Sequence, residues 1–242
     1  MTANSEDVPS DMQTDALPSN PPHEVKKSLL PFLLPQSTLV IGSTQCGKTE
    51  WVKRLLLEAN GMFEPLPESV LYCYSAWQPA YNEMEKAWGS NIEFTSSLPS
   101  KEDLLSRSTD FRHQLLIIDD KMSELNSKDM VDTVCVLTHH RKISVFILLQ
   151  NMFHSGPYIR DISLNVQSIV LFKNPRSMKQ ISVLAGQMAP GRSEFVLDSF
   201  RRATAPPYGY LFIDLNPRTP SERYQFRTNI FPGEDIVVYL PK

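Results

Sequence analysis

The chain has 242 residues, 41% of them hydrophobic and 21% charged, which are globular proportions with room for one sizeable domain and little for a second. No apolar run approaches the roughly 20 residues that span a bilayer, and the acidic, proline-bearing N-terminus is not expected to act as a secretory signal. The net charge of −3 is uneven: residues 1–24 hold five carboxylates and neither Lys nor Arg, which leaves +2 for the other 218 residues. A nearly neutral body gives no argument for nucleic-acid binding from overall charge, so any such contact must come from local clusters.

Residues 1–28, with four prolines, many Ser, Asn and Asp, and no apolar periodicity, read as a disordered acidic tail. Residues 29–242 are expected to form a single domain. Leu29 to Pro35 brings apolar residues up to the first predicted strand, Ser37-Thr-Leu-Val-Ile41, a β-branched run of the kind buried in parallel sheets. Then comes Gly42-Ser43-Thr44-Gln45-Cys46-Gly47-Lys48-Thr49, which fits G-x-x-x-x-G-K-[ST], the loop that cradles nucleoside triphosphate phosphates. Glu50 to Ala59 follows as a helix, with Trp51 and Leu55, Val52 and Leu56 on one face.

This strand–loop–helix context gives each loop residue a task. Gly42 and Gly47 are expected to adopt backbone angles that a Cβ forbids. Backbone N–H groups at the helix start bind anionic oxygens. Lys48 is expected to reach the β- and γ-phosphates, and the Thr49 hydroxyl to ligate Mg²⁺. Cys46 reads either as a small residue suited to a tight turn or as a redox switch. With Cys73 and Cys135 it forms neither a metal spacing nor an even-numbered disulfide framework, which fits free thiols in a reducing compartment.

Further along, Ser69 to Tyr74 is a second strand. Pro79 to Trp88 and Lys101 to Ser106 are helical, the latter with Ser100 as cap and Asp103 completing a capping box. Gln114 to Ile118 is a third strand ending at Asp119-Asp120. Asp129 to His139 is helical, Ser144 to Leu149 is a fourth strand ending at Gln150-Asn151, and Ser168 to Phe172 is a fifth. Helices from about Ser177 to Gly186 and Arg192 to Arg202 precede peripheral strands at Tyr208 to Asp214 and Tyr224 to Thr228. Apolar strands alternating with amphipathic helices predict an α/β sheet with parallel strands.

A phosphate loop calls for an acidic residue at the end of a buried strand, to hold Mg²⁺ through its water shell. Asp119 supplies it, and Asp120 is then the group that polarises the attacking water. The alternative is a polar strand end followed by an Asp helix cap. Gln150, at the end of the fourth strand, opens into the same crevice in a parallel sheet. Its amide can bond both a γ-phosphate and the attacking water, unless it is simply a solvated strand end. Together the three elements argue for hydrolysis rather than binding alone, with ATP and Mg²⁺ as cofactors.

The order of these pieces resembles the FtsK/HerA branch of additional-strand, RecA-like P-loop NTPases. It is most similar to the DNA-packaging ATPases of poxvirus-like, giant-virus and Maverick/Polinton (adintovirus-type) elements. The resemblance rests on Gly42 to Thr49, Leu116-Ile-Ile-Asp-Asp120, His139-His-Arg-Lys-Ile-Ser-Val-Phe-Ile-Leu-Leu-Gln-Asn-Met-Phe153, Ile159-Arg160 with Asn165, Ser168 to Phe172, Arg227 to Glu234 and Val238 to Lys242. It implies a central, mostly parallel sheet flanked by helices on both faces. It also implies a homo-oligomeric ring that drives double-stranded DNA into a capsid, with a capsid or portal protein as partner and no membrane. The setting would be the host nucleus or cytoplasm, or the virion. Such motors borrow an arginine from the neighbouring subunit, and Arg141 and Arg160 are both candidates here.

Two departures from the family pattern bear on these roles. Many relatives carry that arginine where this chain has His139, and many use Glu where it has Asp120. For DNA, Lys173, Arg176 and Lys179 cluster near the fifth strand's end, followed by Arg192, Arg201 and Arg202; the same charges could instead form a solvated face. The competing functional readings are a helicase-type ATPase and a non-motor nucleotide-binding scaffold.

Overall fold

The computed structural model describes residues 28–107, 112–125, 141–151 and 157–241, with only the backbone of residues 122–123 and 157–160. The predicted helix over 129–139 lies outside them, as do Cys135, His139, Met152 and Phe153. In chain order the strands are β1 (Phe32–Leu33), β2 (Ser37–Ile41), β3 (Phe63–Glu64), β4 (Ser69–Cys73), β5 (Ile92–Thr95), β6 (Gln114–Asp119), β7 (Ile143–Leu149), β8 (Ser168–Phe172), β9 (Tyr210–Asp214), β10 (Phe226–Thr228) and β11 (Val237–Val238). The helices are α1 (Lys48–Leu57), α2 (Ala59–Met62), α3 (Ala80–Trp88), α4 (Lys101–Arg107), α5 (Met122–Leu125), α6 (Pro157–Asn165), α7 (Met178–Met188) and α8 (Ser193–Ala203).

Nine strands join in one sheet in the order β11-β10-β9-β8-β2-β7-β6-β4-β5. From β8 to β5 every pairing is parallel, whereas β9, β10 and β11 add on antiparallel. The five predicted strands of the parallel core are all present, and the two peripheral ones form the antiparallel edge together with the short β11. β5 is a further core-side strand, paired with β4 and not predicted from the sequence. Its Ile-Glu-Phe-Thr buries only Ile92 fully, which is an edge strand's pattern and too short for a clear alternation.

β2, β7 and β8 are buried along their whole length, because helices cover both faces of a parallel sheet. Alternation then sorts their side chains between two cores. Leu39, Ile41, Ile147, Leu149 and Leu171 face α7 and α8, packing with Leu184, Val196 and Phe200. Val40, Phe146, Leu148 and Phe172 face α1 and α3, packing with Val52, Leu55, Leu56 and Met84. Polar groups at the strand starts are paired: Ser144 Oγ accepts from the Gln36 N–H at 3.2 Å, Thr38 and Ser168 hydroxyls meet at 2.7 Å, and Gln167 Oε1 accepts from the Ser37 N–H at 2.7 Å. Ser28, the first described residue, is buried and donates to the Ile230 carbonyl at 3.1 Å. The Ser100–Asp103 capping box forms as predicted, with Asp103 N–H on Ser100 Oγ and Ser100 N–H on Asp103 Oδ2, both at 3.1 Å. Among the described residues no helix is long and apolar enough to cross a membrane.

The antiparallel edge is fastened by a buried charge pair. Arg227 on β10 lies 2.9 Å from Asp214 on β9, with their side chains 3% and 9% exposed. Its guanidinium sits over the Phe212 ring, and its Nε has no partner among the described residues. Removing one member of a buried pair strands the other charge, at a cost of about 3–5 kcal/mol. Asp214→Ala should therefore lower the urea unfolding free energy by about that much. The exposed Arg202–Asp198 pair, 2.8 Å apart, should contribute less than about 1 kcal/mol by the same assay.

Candidate functional site

The strand order decides what can meet at the carboxyl edge of the sheet. β7 lies between the loop-bearing β2 and the carboxylate-bearing β6, with Ile41 in register with Leu149, and Leu148 with Asp119. Two strand spacings therefore separate loop from carboxylate, about 10 Å, which is the width of a crevice rather than of a contact. A side chain from α1 closes it: Thr49 Oγ1 donates to Asp119 Oδ2 at 3.2 Å.

The loop itself is fixed by backbone geometry. Gln45 and Gly47 take positive φ values of 63° and 102°. Gly47 caps α1 in the left-handed conformation with no side-chain cap, so the N–H groups of the first turn are left for a ligand. Gly42 corrects an expectation. It has no positive φ; instead a Cβ there would stand 2.5 Å from Cys46 Sγ and 2.6 Å from Phe172 Cβ. It is glycine for want of space, while Gly47 is glycine for its angle. Lys48 Nζ bends back over the loop and donates to the carbonyls of Gly42 and Ser43 at 2.8 and 3.0 Å. Those oxygens hold the ammonium where phosphate oxygens could take it over.

Asp119 is 4% exposed and is held by more than Thr49. The Tyr72 and Tyr81 hydroxyls also donate to Oδ2, at 2.9 and 3.2 Å. Burial pushes the Asp119 carboxyl above its ordinary range, and the three hydroxyls, with the Lys48 charge, pull it back. Burial, and then the charge of Asp119 and the bonds to it, push the Tyr72 and Tyr81 phenols up, so both stay protonated donors. Neither tyrosine was singled out from sequence. The available signal was Tyr72 inside the apolar run of β4: a buried phenol needs a partner, and β4 neighbours the strand that ends at Asp119.

Asp120 turns outward at a positive φ of 56°. Gln150 Nε2 donates to its Oδ1 at 2.8 Å, Ser75 Oγ to its carbonyl at 2.6 Å, and Asn174 Nδ2 to the Gln150 carbonyl at 3.3 Å. Gln150 and Asp120 are thus brought together beside the loop. Arg141 is not. It precedes β7 and lies at the opposite edge of the sheet, about 23 Å away by the strand's seven residues. Arg160 is on α6, where its side chain lies outside the described residues. Lys173, Arg176 and Lys179 are exposed at the end of β8, and the Lys173 carbonyl accepts weakly from Ser43 Oγ at 3.4 Å. Arg192 and Arg201 are also exposed, and Arg202 is taken up by Asp198.

A glycine-bent loop between a buried strand and a helix, with one strand interposed before an acidic strand end, defines the architecture. The fold is that of a P-loop NTPase. No protein-family model and no curated protein matches the sequence. Among solved structures, the chain is similar to the genome packaging NTPase B204 from Sulfolobus turreted icosahedral virus 2, in complex with ATP-gammaS, at 12% identity and a TM-score of 0.48, over 85% of this chain and 97% of that one. It is also similar to the cytoplasmic domain of the Thermomonospora curvata Type VII secretion ATPase EccC, at 12% identity and a TM-score of 0.48, over 84% of this chain and 25% of that one. A KaiC-like protein from Pyrococcus horikoshii aligns at 13% identity and a TM-score of 0.41, over 89% and 98% of the two chains.

The donor set suits a magnesium–triphosphate ligand. Among the described residues no three His, Cys, Asp or Glu side chains gather as a metal cage, whereas Mg²⁺ bound to phosphates needs only one or two protein oxygens. Cys46 sits half-buried in the loop, and burial pushes its thiol above the ordinary range, against the lowering influence of Lys48. That favours the tight-turn reading over the redox switch. Cys46 should alkylate more slowly with iodoacetamide at pH 7.5 than a free cysteine does, and Cys73, buried and pushed to about 12, more slowly still. Peptide-resolved mass spectrometry reads each site; fast alkylation of Cys46 would restore the switch.

Proposed function

We infer that this chain is an Mg²⁺-dependent ATPase of the FtsK/HerA type, and that its hydrolysis drives double-stranded DNA into the capsid of a viral or virus-like element. One observation carries the hydrolysis: Thr49–Asp119 and Gln150–Asp120 form two hydrogen-bonded pairs side by side at the mouth of the loop. In this reading the first pair would serve a metal, and the second a water.

In this reading the loop N–H groups and the positive end of α1 bind the phosphates, and Lys48 exchanges its two loop carbonyls for β- and γ-phosphate oxygens. Mg²⁺ would be held by Thr49 Oγ1 and, through water, by Asp119, and would neutralise charge across the phosphates. Asp120 accepts a hydrogen bond from the attacking water and orients it. Gln150 holds Asp120 through Oδ1, leaving Oδ2 for that water, and can reach a γ-phosphate. The side chain of Asp120 is one methylene shorter than the Glu of many relatives, and its outward, positive-φ backbone sets it toward the crevice mouth.

The motor role rests on the resemblance of the segment from His139 to Phe153, and the position of Arg141 supports it. An arginine a full strand length from its own loop is out of that loop's reach and would serve a neighbour's, as a ring allows. Arg160 stays the second candidate. Lys173, Arg176 and Lys179, exposed on the loop side of the sheet, are the groups proposed for DNA phosphates. Within the ring, residues 29–242 would form the ATPase domain and the acidic N-terminal segment a handle for a capsid or portal protein. The work would take place in the host nucleus or cytoplasm, or in the virion.

Lys48→Ala should abolish ATP turnover. Asp120→Asn should slow it by about a hundredfold, the scale of a lost general base, while Mg-ATP binding persists. Duplex DNA should stimulate turnover of the wild-type chain. A rate indifferent to duplex, with the two variants behaving as stated, would keep the ATPase and remove the motor.

A further inference from the structure

Tyr208 is the most exposed aromatic side chain among the described residues, at 73%, and it holds a positive φ of 58°. For a bulky residue that is an outlier, retained only when the surroundings enforce it. They do so here. The segment from α8 to β9 carries the consecutive Pro206 and Pro207, the Gly209 N–H donates to the Pro206 carbonyl at 3.0 Å, and a Cβ on Gly209 would lie 2.4 Å from the Ala203 carbonyl. Thr204 Oγ1 closes the end of α8 by donating to Phe200 at 2.8 Å. Among the described residues Tyr208 makes no hydrogen bond and no ring contact. A rigid turn therefore presents an aromatic ring that the fold itself does not use.

The place of that ring gives it a use. A Cβ built on Gly47 would be 3.1 Å from Tyr208 Cδ1 and 3.5 Å from its Cβ, so the tyrosine stands against the phosphate loop at the start of α1. In the sheet order β9-β8-β2-β7-β6, Gln150, Asp119 and Asp120 lie on the β7/β6 side of the loop. A triphosphate in the loop then has its γ end on that side, and its nucleoside end toward β8 and β9, where Tyr208 leads into β9.

We propose that Tyr208 is the platform on which the nucleobase of the bound nucleoside triphosphate stacks. The inference rests on the phosphate-loop reading above and adds the subsite for the base. An aromatic ring accepts any base through its π-face, so this subsite distinguishes nucleotides from inorganic phosphates more than one base from another. The turn fixes the backbone that carries the ring, so no loop ordering opposes stacking when the base arrives.

The test compares two probes by calorimetry with Mg²⁺ present: a non-hydrolysable ATP analogue and inorganic tripolyphosphate. Tyr208→Ala should weaken the analogue about tenfold or more, the range of one base stacked on one aromatic ring, and leave tripolyphosphate unchanged. Tyr208→Phe, which keeps the ring, should bind both like the wild type. Equal weakening of both probes by Tyr208→Ala would mean that the ring shields the loop rather than the base, and would overturn the proposal. No change in either probe would overturn it as well. Lys48→Ala separates the two levels: if it leaves tripolyphosphate binding intact, the phosphate-loop reading fails, whatever Tyr208 does.

Discussion

The site depends on a single buried carboxylate oxygen. Asp119 Oδ2 receives hydroxyls from α1, β4 and α3, through Thr49, Tyr72 and Tyr81. An ionised carboxylate this deeply buried is costly unless it is bonded, and three donors on one atom are what keeps it there. The bonds also fix geometry. They tie the helix after the phosphate loop to the strand end across the intervening β7, and they brace α3 against the same point. The Tyr72 and Tyr81 rings, 4.9 Å apart at their centroids, continue this brace into the aromatic packing of Tyr74, Trp77 and Phe94. Two helices and two strands, α1, α3, β4 and β6, thus meet at one carboxylate.

The interposed strand explains the division of labour. Because β7 separates β2 from β6, its end places Gln150 between loop and carboxylates, where an amide can touch both sides. The beginning of the same strand places Arg141 at the far edge. One strand thus has Gln150 at the crevice end and Arg141 at the end remote from it. The antiparallel strands β9 to β11 serve a different end. They close off one edge of the sheet with the Arg227–Asp214 pair, and the turn leading into them sets Tyr208 beside the loop.

Much of this was legible in the sequence because it is local. The loop pattern, the runs Ser37 to Ile41 and Ser168 to Phe172, and the Ser100–Asp103 box are written in neighbouring residues, and each appears where expected. What escaped was set by distance along the chain or by space. Tyr72 and Tyr81 lie 47 and 38 positions from Asp119, and periodicity carries no sign of which buried hydroxyl meets which carboxylate. The reason for Gly42 also lies elsewhere, in Phe172 on a neighbouring strand. Helix α6 opens on Pro157, a permitted first residue, but its short polar and apolar mixture gave no clear period. The sequence predicts a strand from Tyr208, whereas the strand begins at Tyr210 and Tyr208 belongs to the turn.

The central claim is that the three hydroxyls on Asp119 hold a carboxylate that serves a metal. The most direct measurement is ATP turnover against Mg²⁺ concentration for the wild type and for the Tyr72→Phe/Tyr81→Phe double variant, which keeps both rings and removes only the two O–H donors. Loss of outer-shell partners of this kind weakens metal binding about 10–100-fold. The half-saturating Mg²⁺ concentration should rise by about that factor, with turnover largely recovered at saturating metal. An unchanged Mg²⁺ requirement in a folded double variant would contradict the account, because Asp119 would then do its work without the bonds that hold it.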